Sequence, residues 1–390
     1  MLIIKQSIVG ICTFCLKIFF LRMNFLIFFW NLTFNNLCEL WNAKSIYLKS
    51  RCIFSMDDKN RIPLTSAEMA VLWAQYINDK VTICVVGHFL NKVEDEEIQP
   101  IIETSLNDAK RNIVTLNKLF KQEKFPVPIG FTKLDVRESA PRLFSDTFAL
   151  MYLRYMSILG MAAASVAIGV ATRDDVIVFF KSVLKEAVIL QDLTTKLMLK
   201  QGTYVKPPYI SNPDKVDYVE KQSFLAGFIG DIRPLTAQEI MVLFNNIQTN
   251  AVGKALIIGF AQTSKNKDVK QYFLRGKQIA QKHIDIFSDI LKKEDLPAPM
   301  NWDNAVTDST SPVFSDKLMM FHISAMIAAG IGNYGTSMSA SPRRDLGIKY
   351  ASLIPEIALY AEDGANIMIK NGWLEEPPQA DDRNHLIKKK

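Results

Sequence analysis

A twelve-residue phrase occurs twice in this chain and constrains the fold more than any other feature. Residues 62–73 read IPLTSAEMAVLW and residues 233–244 read RPLTAQEIMVLF, so that six of the twelve aligned positions are identical. In both copies a Thr is followed three residues later by a Glu and then by apolar residues at helical spacing, which is the pattern of a capping box at a helix start. The repetition therefore predicts an internal duplication in which each half opens with a helix.

The repeated phrase also assigns structural roles to individual side chains. Each Thr is predicted to accept a hydrogen bond from the third helical N–H, and each Glu to accept one from the N–H of the capping Thr. Near the far end of each half, one glycine lies two residues after a lysine. Both glycines are predicted C-terminal caps, because glycine adopts positive φ without strain. The predicted caps are Thr65, Glu68, Thr236, Glu239, Gly202 and Gly372.

The correspondence continues through each half. KFPVP at 124–128 matches DLPAP at 295–299, and the Pro-Pro pair at 207–208 matches the pair at 377–378. Neither half shows the alternating pattern of a half-buried strand. Four helices are predicted in each half, at about 65–90, 95–122, 141–169 and 173–200, and at about 236–262, 267–292, 312–337 and 343–370. Four long helices with one longer connection predict an all-α fold of two tandem four-helix bundles related by internal duplication.

The predicted domains follow from this pattern. They are an apolar N-terminal extension (1–55), a first bundle (56–210), a linker (211–232), a second bundle (233–380) and a polar basic tail (381–390).

The first 55 residues differ in composition from the rest. They hold four of the five cysteines and five of the six net positive charges. A membrane span over about 7–32 is long enough, but Lys17 and Arg22 would each cost about 2.5–3.5 kcal/mol in the hydrocarbon. A cleaved signal peptide fits poorly, because no small-x-small site follows the apolar region cleanly. We favour translation from Met56, with a membrane anchor as the alternative.

Charge and cysteine content restrict the function of residues 56–390. With 40 basic and 39 acidic residues, this part has no basic footprint for a phosphate backbone, so nucleic-acid binding is not expected. Cys84 is its only cysteine, and one cysteine in an apolar run indicates a buried side chain in a reducing compartment. The Cys12 and Cys15 pair lacks the second ligand pair of a metal site. The expected location is therefore cytoplasmic.

A dinuclear metal site is the obvious chemistry to test in a four-helix bundle. Such sites require Glu-x-x-His on two helices, and no histidine here has Glu three residues before it. If the chain were a degenerate metal or small-ligand binder, the weak candidates would be His283, His322, Glu356 and Glu362. Two carboxylate positions recur in the fourth helices, Glu186 with Glu356 and Asp192 with Glu362. Structural ion pairs are their expected role. We predict no enzyme activity and no cofactor.

The third helix of each half contains a run of small residues. GMAAASVAIGVA at 160–171 and SAMIAAGIGNYGTS at 324–337 would let helix backbones approach closely. Close packing between helices or between the bundles is the favoured interpretation. The alternative is a ligand cavity opened by the missing side chains.

The doubled Pro-Leu-Thr-x-x-Glu openings at 63–68 and 234–239, the paired Pro-x-Pro loops and the helix-end glycines before Pro-Pro carry a family resemblance. Over about 60–380 the chain resembles uncharacterised proteins of spore-forming Gram-positive bacteria that have two tandem ferritin-like bundles and are distantly similar to spore coat protein F. The resemblance implies a non-enzymatic structural or interaction protein that associates with itself or with spore coat proteins, in the cytoplasm or on the spore. Membrane association is expected only if residues 1–55 are retained.

Overall fold

The computed structural model describes residues 62–228 and 232–388. The chain divides into two units, residues 1–63 and residues 64–390, and every helix described below lies in the second unit. The predictions made for residues 1–55, including the membrane span and the Cys12 and Cys15 pair, lie outside the described residues. So does the start at Met56.

The described residues form α-helices joined by irregular segments, with two isolated bridges and no named strand. The first repeat contains α1 (Ser66–Leu90), α2 (Gln99–Gln122), α3 (Asp146–Val170) and α4 (Asp174–Lys200). The second contains α5 (Ala237–Thr263), α6 (Lys267–Lys292), α7 (Asp316–Ser339) and α8 (Arg344–Lys370), followed by α9 (Arg383–Lys388). The predicted all-α fold of two duplicated helical bundles is confirmed.

The third helix of each repeat begins later than the sequence pattern predicts. Ser145 and Ser315 are the capping residues, and each side chain accepts a hydrogen bond from a backbone N–H one turn into the helix. The preceding segments, predicted as helix from about 141 and 312, are extended instead because they pair with the other repeat. Of the described helices, α3 is long and apolar enough to cross a membrane by length and composition alone.

Both predicted capping boxes are present. The Thr65 N–H donates to Glu68 at 2.8 Å and the Glu68 N–H donates to Thr65 Oγ1 at 3.2 Å. The second oxygen of Glu68 accepts from the Arg173 N–H at 2.8 Å, and Glu239 accepts from the Arg343 N–H at 3.0 Å. Each glutamate therefore ties the start of the first helix to the start of the fourth, a role that its sequence pattern does not reveal.

The predicted C-terminal glycines adopt the conformation that their role requires. Gly202 has φ of 69° and Gly372 has φ of 65°. In each case the following residue donates its N–H to a carbonyl in the last helical turn, at 2.9 Å, to Met198 in the first repeat and Met368 in the second. This pattern satisfies carbonyls that the helix end would otherwise leave without partners.

The helices pack as hairpins. α1 lies against α2 and α3 against α4, and the same pairing recurs in the second repeat. The connection at 123–145 between the two hairpins is longer than the turns within them. It and its counterpart at 293–315 lie between the repeats.

These two connections exchange backbone hydrogen bonds. The bonds run from Arg137 N to Val313 O (2.8 Å), Thr307 N to Leu143 O (2.9 Å), Ser145 N to Ala305 O (2.8 Å) and Ser315 N to Asp135 O (2.9 Å). Residues 170 positions apart occupy equivalent places in the two repeats. The bond from Arg137 to Val313 is therefore the counterpart of the bond from Thr307 to Leu143, and the exchange is reciprocal. The repeats are therefore related by an approximate two-fold axis, as in an isologous dimer interface.

Glu68 and Glu239 are fully buried. Burial alone would raise the pKa of Glu68, but hydrogen bonds, chiefly from the Thr65 and Arg173 amides, lower it to about 2. Burial would likewise raise the pKa of Glu239, but hydrogen bonds, first from Arg233, lower it to about 2. A carboxyl with a lowered folded pKa contributes stability above its unfolded value of 4.5 and loses it as pH falls toward 2.

We expect Glu68→Gln to lower the free energy of unfolding at pH 7 by about 1–3 kcal/mol. The amide has one acceptor oxygen where the carboxylate has two, so one set of backbone N–H donors loses its partner. Glu239→Gln is expected to cost more, about 3–5 kcal/mol, because it also leaves the Arg233 guanidinium, whose side chain is only 15% exposed, without its carboxylate. Urea unfolding at pH 7 and pH 3 measures both, and the gap from wild type should shrink at pH 3. Losses of unfolding free energy close to zero for both variants would contradict this account of the caps.

Candidate functional site

A cavity of about 480 Å³ lies among the four helices of the first repeat. Helix α7 of the second repeat forms one wall, so both repeats build the site. The volume lies within the range of about 300–1,000 Å³ found for small-molecule sites.

The walls of the cavity combine bulky apolar residues with the two small-residue runs. The apolar lining comes from Met156, Leu159, Val183, Leu190 and Phe321. The run at 160–171 contributes Gly160, Ala162 and Ala163, and the run at 324–337 contributes Ala325, Met326, Ala329, Gly332 and Asn333. The cavity that the alternative interpretation of these runs predicted is therefore present.

The cavity opens to solvent beside the same runs. Asn78 on α1, Ala162 and Ala163 on α3 and Ala325 on α7 line the cavity and are exposed. The small side chains of the third helices, α3 and α7, thus leave an entrance to the cavity.

Three carboxyl groups from three helices line the cavity: Asp79 on α1, Asp108 on α2 and Glu186 on α4. Asp79 is 6% exposed and accepts a hydrogen bond from Gln75 Nε2 at 3.0 Å. Glu186 accepts from Asn112 Nδ2 at 3.3 Å. None of the described lining residues is Lys or Arg, so the formal charge of the lining is negative.

Burial and mutual repulsion disfavour the ionised forms of these acids. Burial, followed by the charges of Glu186 and Asp108, raises the pKa of Asp79 well above its usual range. Burial and the charge of Asp108 also raise the pKa of Glu186, and burial raises that of Asp108. Arg111 contacts Asp108 and lies 3.4 Å from Glu186, but its side chain is 61% exposed. The local negative charge is therefore only partly balanced.

Neutral polar groups line another part of the cavity. His322 Nε2 lies 3.4 Å from Tyr152 Oη, and burial lowers the pKa of His322 to about 4, so that the ring is neutral at pH 7. Ser105 is 6% exposed, and neither its hydroxyl nor His322 Nδ1 makes a hydrogen bond to any residue that the structure describes. Both atoms are therefore available to a bound molecule.

The second repeat has a smaller cavity of about 90 Å³ at the matching place. Bulkier residues occupy its walls: Ile357 and Tyr360 stand where the first repeat has Ala187 and Leu190. Its described lining residues carry no charged side chain; they are Asn246, Thr249, Asn250, Gly253, Ile257, Gly276, Ile279, Ala280, Ile323, Met326, Ile327, Gly330, Tyr334, Ile357 and Tyr360. Asn250 and Ile279 correspond to Asp79 and Asp108.

A hydrogen-bonded network occupies part of the second bundle. His283 Nδ1 lies 2.8 Å from Tyr334 Oη, and His283 Nε2 lies 3.0 Å from Glu356 Oε2. Burial lowers the pKa of His283, while burial would raise that of Glu356 but hydrogen bonds, first from His283 and then from Lys282, lower it. Asn250 also donates to Tyr334 at 2.9 Å. These partners give His283 and Glu356 a structural role in the second bundle.

The four weak candidates from the sequence do not form one site. His283 and Glu356 meet in the second bundle, His322 lines the cavity of the first repeat, and Glu362 is exposed on α8. Their helix positions face different spaces. Within the ranges that the structure describes, no group of three or more His, Cys, Asp or Glu side chains could hold a metal ion.

Asp79 and Asp108 were missed by the sequence analysis. A signal for Asp79 was present, because Gln75, Asp79 and Thr82 recur at helical spacing beside the apolar positions of α1. In the second repeat the equivalent residues are Asn246, Asn250 and Gly253. The position of Asp79 is therefore charged in the first repeat and neutral in the second.

Comparison with known proteins identifies a repeated domain. The model of a family described as "Protein of unknown function (DUF3231)" matches residues 53–216 and 223–386. Two tandem copies of one uncharacterised domain, as the resemblance predicted, are thereby confirmed. No curated protein matches the chain.

One similar solved structure is that of a candidate spore coat protein from Bacillus halodurans C-125. It is 20% identical, covers 40% of this chain and 100% of its own, and has a TM-score of 0.37. This likeness is too weak to carry an argument about the present chain.

We expect Asp79→Asn to stabilise the protein at pH 8. A carboxyl with a raised folded pKa loses stability as pH rises from its unfolded value of 3.8 through the folded pKa. Asn keeps the shape and removes the buried charge. Thermal unfolding should show a melting temperature several degrees above wild type at pH 8 and a smaller gain at pH 4.

Asp192→Asn is the matched control. Asp192 is exposed and pairs with Lys196 four residues away, an arrangement worth less than about 1 kcal/mol. Its melting temperature should stay close to wild type. A lower melting temperature for Asp79→Asn at both pH values would contradict the account of Asp79.

Proposed function

The chain belongs to the DUF3231 family of proteins of unknown function, and from that premise we propose that it is a small-molecule binding protein. The binding site is the 480 Å³ cavity of the first repeat. The observation that carries this proposal is the contrast between the two repeats, since the cavity at the same place in the fold is large and acidic in one and small and uncharged in the other.

The buried acid supports a binding role. A carboxyl whose pKa is raised by burial lowers the stability of the fold at neutral pH. The second repeat has Asn250 at this position. A feature that lowers stability while lining a solvent-accessible cavity is typical of a functional site.

We propose that the role is non-enzymatic and that no cofactor takes part. The polar lining consists mainly of carboxyl, amide and hydroxyl groups, which hold a ligand by charge and hydrogen bonds. Ferritin-like ancestry of the bundles belongs to the same proposal and is supported by the two helical hairpins joined by one long connection in each repeat.

The association expected from the family resemblance also stays a proposal. It comprises contact with further copies of this chain or with spore coat proteins, in the cytoplasm or on the spore. It rests on the family resemblance, which the doubled Pro-Leu-Thr-x-x-Glu openings carry. Ligand binding and such association are compatible, because the cavity lies within one chain.

Binding of 1-hexanol, measured by saturation-transfer NMR on the full chain, tests the proposed site. The double variant Ala187→Ile with Leu190→Tyr gives the first cavity the residues of the second repeat. We expect wild type to bind 1-hexanol and the double variant to lose at least about tenfold in affinity, because the added atoms fill the ligand volume.

Ala351→Ile on the exposed face of α8 controls for an added apolar side chain. It should bind 1-hexanol as wild type does, and circular dichroism should show all variants folded. A folded double variant that binds 1-hexanol as tightly as wild type does would refute the site.

A further inference from the structure

We propose that the ligand of the first-repeat cavity is an organic cation, an ammonium group carried on an apolar body. This inference rests on the proposed binding function and adds its chemical class. It follows from which groups line the cavity, where they lie and which partners they lack.

The charge of the lining selects a cation. Asp79, Asp108 and Glu186 reach the cavity from three different helices, and none of its described lining residues is Lys or Arg. Arg111 balances part of this charge from the exposed side of α2. A positive charge inside the cavity would be attracted by all three acids, whereas an anion would be repelled by them.

Carboxylates suit an ammonium group geometrically. Ammonium has three N–H donors and no acceptor, and ionised carboxylates are acceptors only. Charge-assisted hydrogen bonds of this kind are about twice as strong as neutral ones. Binding an ammonium would also stabilise the ionised form of Asp79, which burial otherwise disfavours.

The rest of the cavity requires more than an ion. Its volume of about 480 Å³ exceeds what a bare metal ion occupies, and its walls include Met156, Leu159, Leu190 and Phe321. An apolar body would displace water from these walls, which is favourable. The cation therefore belongs to an organic molecule.

Two polar atoms without partners among the described residues indicate where a further ligand group would bind. Ser105 Oγ and His322 Nδ1 line the cavity and lack partners among the residues that the structure describes. A hydroxyl or a second amine on the ligand would satisfy them.

The second repeat serves as an internal comparison. Asn250 and Ile279 replace the acids on the first and second helices, and Glu356, the counterpart of Glu186, bonds to His283 and Lys282. Its cavity thus offers no charge to a cation. The inference is specific to the first repeat.

Isothermal titration calorimetry with three probes of equal chain length tests the class of ligand. Hexylammonium, 1-hexanol and hexanoate differ mainly in their polar end. On the full chain at pH 8 we expect hexylammonium to bind at least about tenfold more tightly than 1-hexanol, a difference of about 1.4 kcal/mol. Hexanoate should bind most weakly.

Asp79→Asn should lower the ratio of hexylammonium affinity to 1-hexanol affinity about tenfold, since it removes the most buried charge. Glu186→Gln provides a second variant with the same expected direction, should Asp79→Asn fail to fold. Asp192→Asn, which removes an exposed acid outside the cavity, should leave the ratio unchanged.

The outcomes separate the two proposals. If 1-hexanol binds and hexylammonium binds no better, the cavity is a binding site and the cation inference is overturned. If none of the three probes binds, the proposed function falls with it. Inorganic Mn²⁺ that binds more tightly than hexylammonium and displaces it would overturn the organic assignment.

Discussion

The reciprocal backbone hydrogen bonds between the two long connections are the constraint on which the rest of the structure depends. They join 135–145 to 305–315 around an approximate two-fold axis. Tyr152 and His322, which occupy equivalent positions, meet near this axis at 3.4 Å. Because the exchange fixes α7 against the first bundle, it also supplies one wall of the cavity. The candidate site therefore depends on the duplication and not on one bundle alone.

Within this symmetric frame the repeats have diverged in their interiors. The buried glutamate caps, the glycine ends and the arginines at the start of the fourth helices are retained in both. The central polar groups differ: the second bundle pairs His283 with Tyr334 and Glu356, whereas the first has Asn112, Ala164 and Glu186. Paired groups stabilise a core, and groups left without full partners lower its stability and remain available for binding.

The sequence predicted the architecture well because its strongest signals are local. Capping boxes, proline pairs and helical periodicity act over a few residues, so the helices and the caps at Thr65, Glu68, Gly202 and their counterparts could be placed from the sequence. The cavity depends on which helix faces which, and that follows from long-range pairing. Periodicity alone could not show that Asp79 and His322, from different repeats, line one space. For the same reason the sequence could not show that His283 meets Glu356 while His322 and Glu362 lie elsewhere.

A crystal structure of the full chain grown with hexylammonium tests the central claim most directly. The account predicts one bound molecule, with its nitrogen within hydrogen-bond distance of Asp79 or Glu186 and its chain against Met156 and Phe321. The second repeat should hold none, because its matching cavity is small and uncharged. A cavity that holds only water, or a ligand bound elsewhere on the protein, would contradict the account.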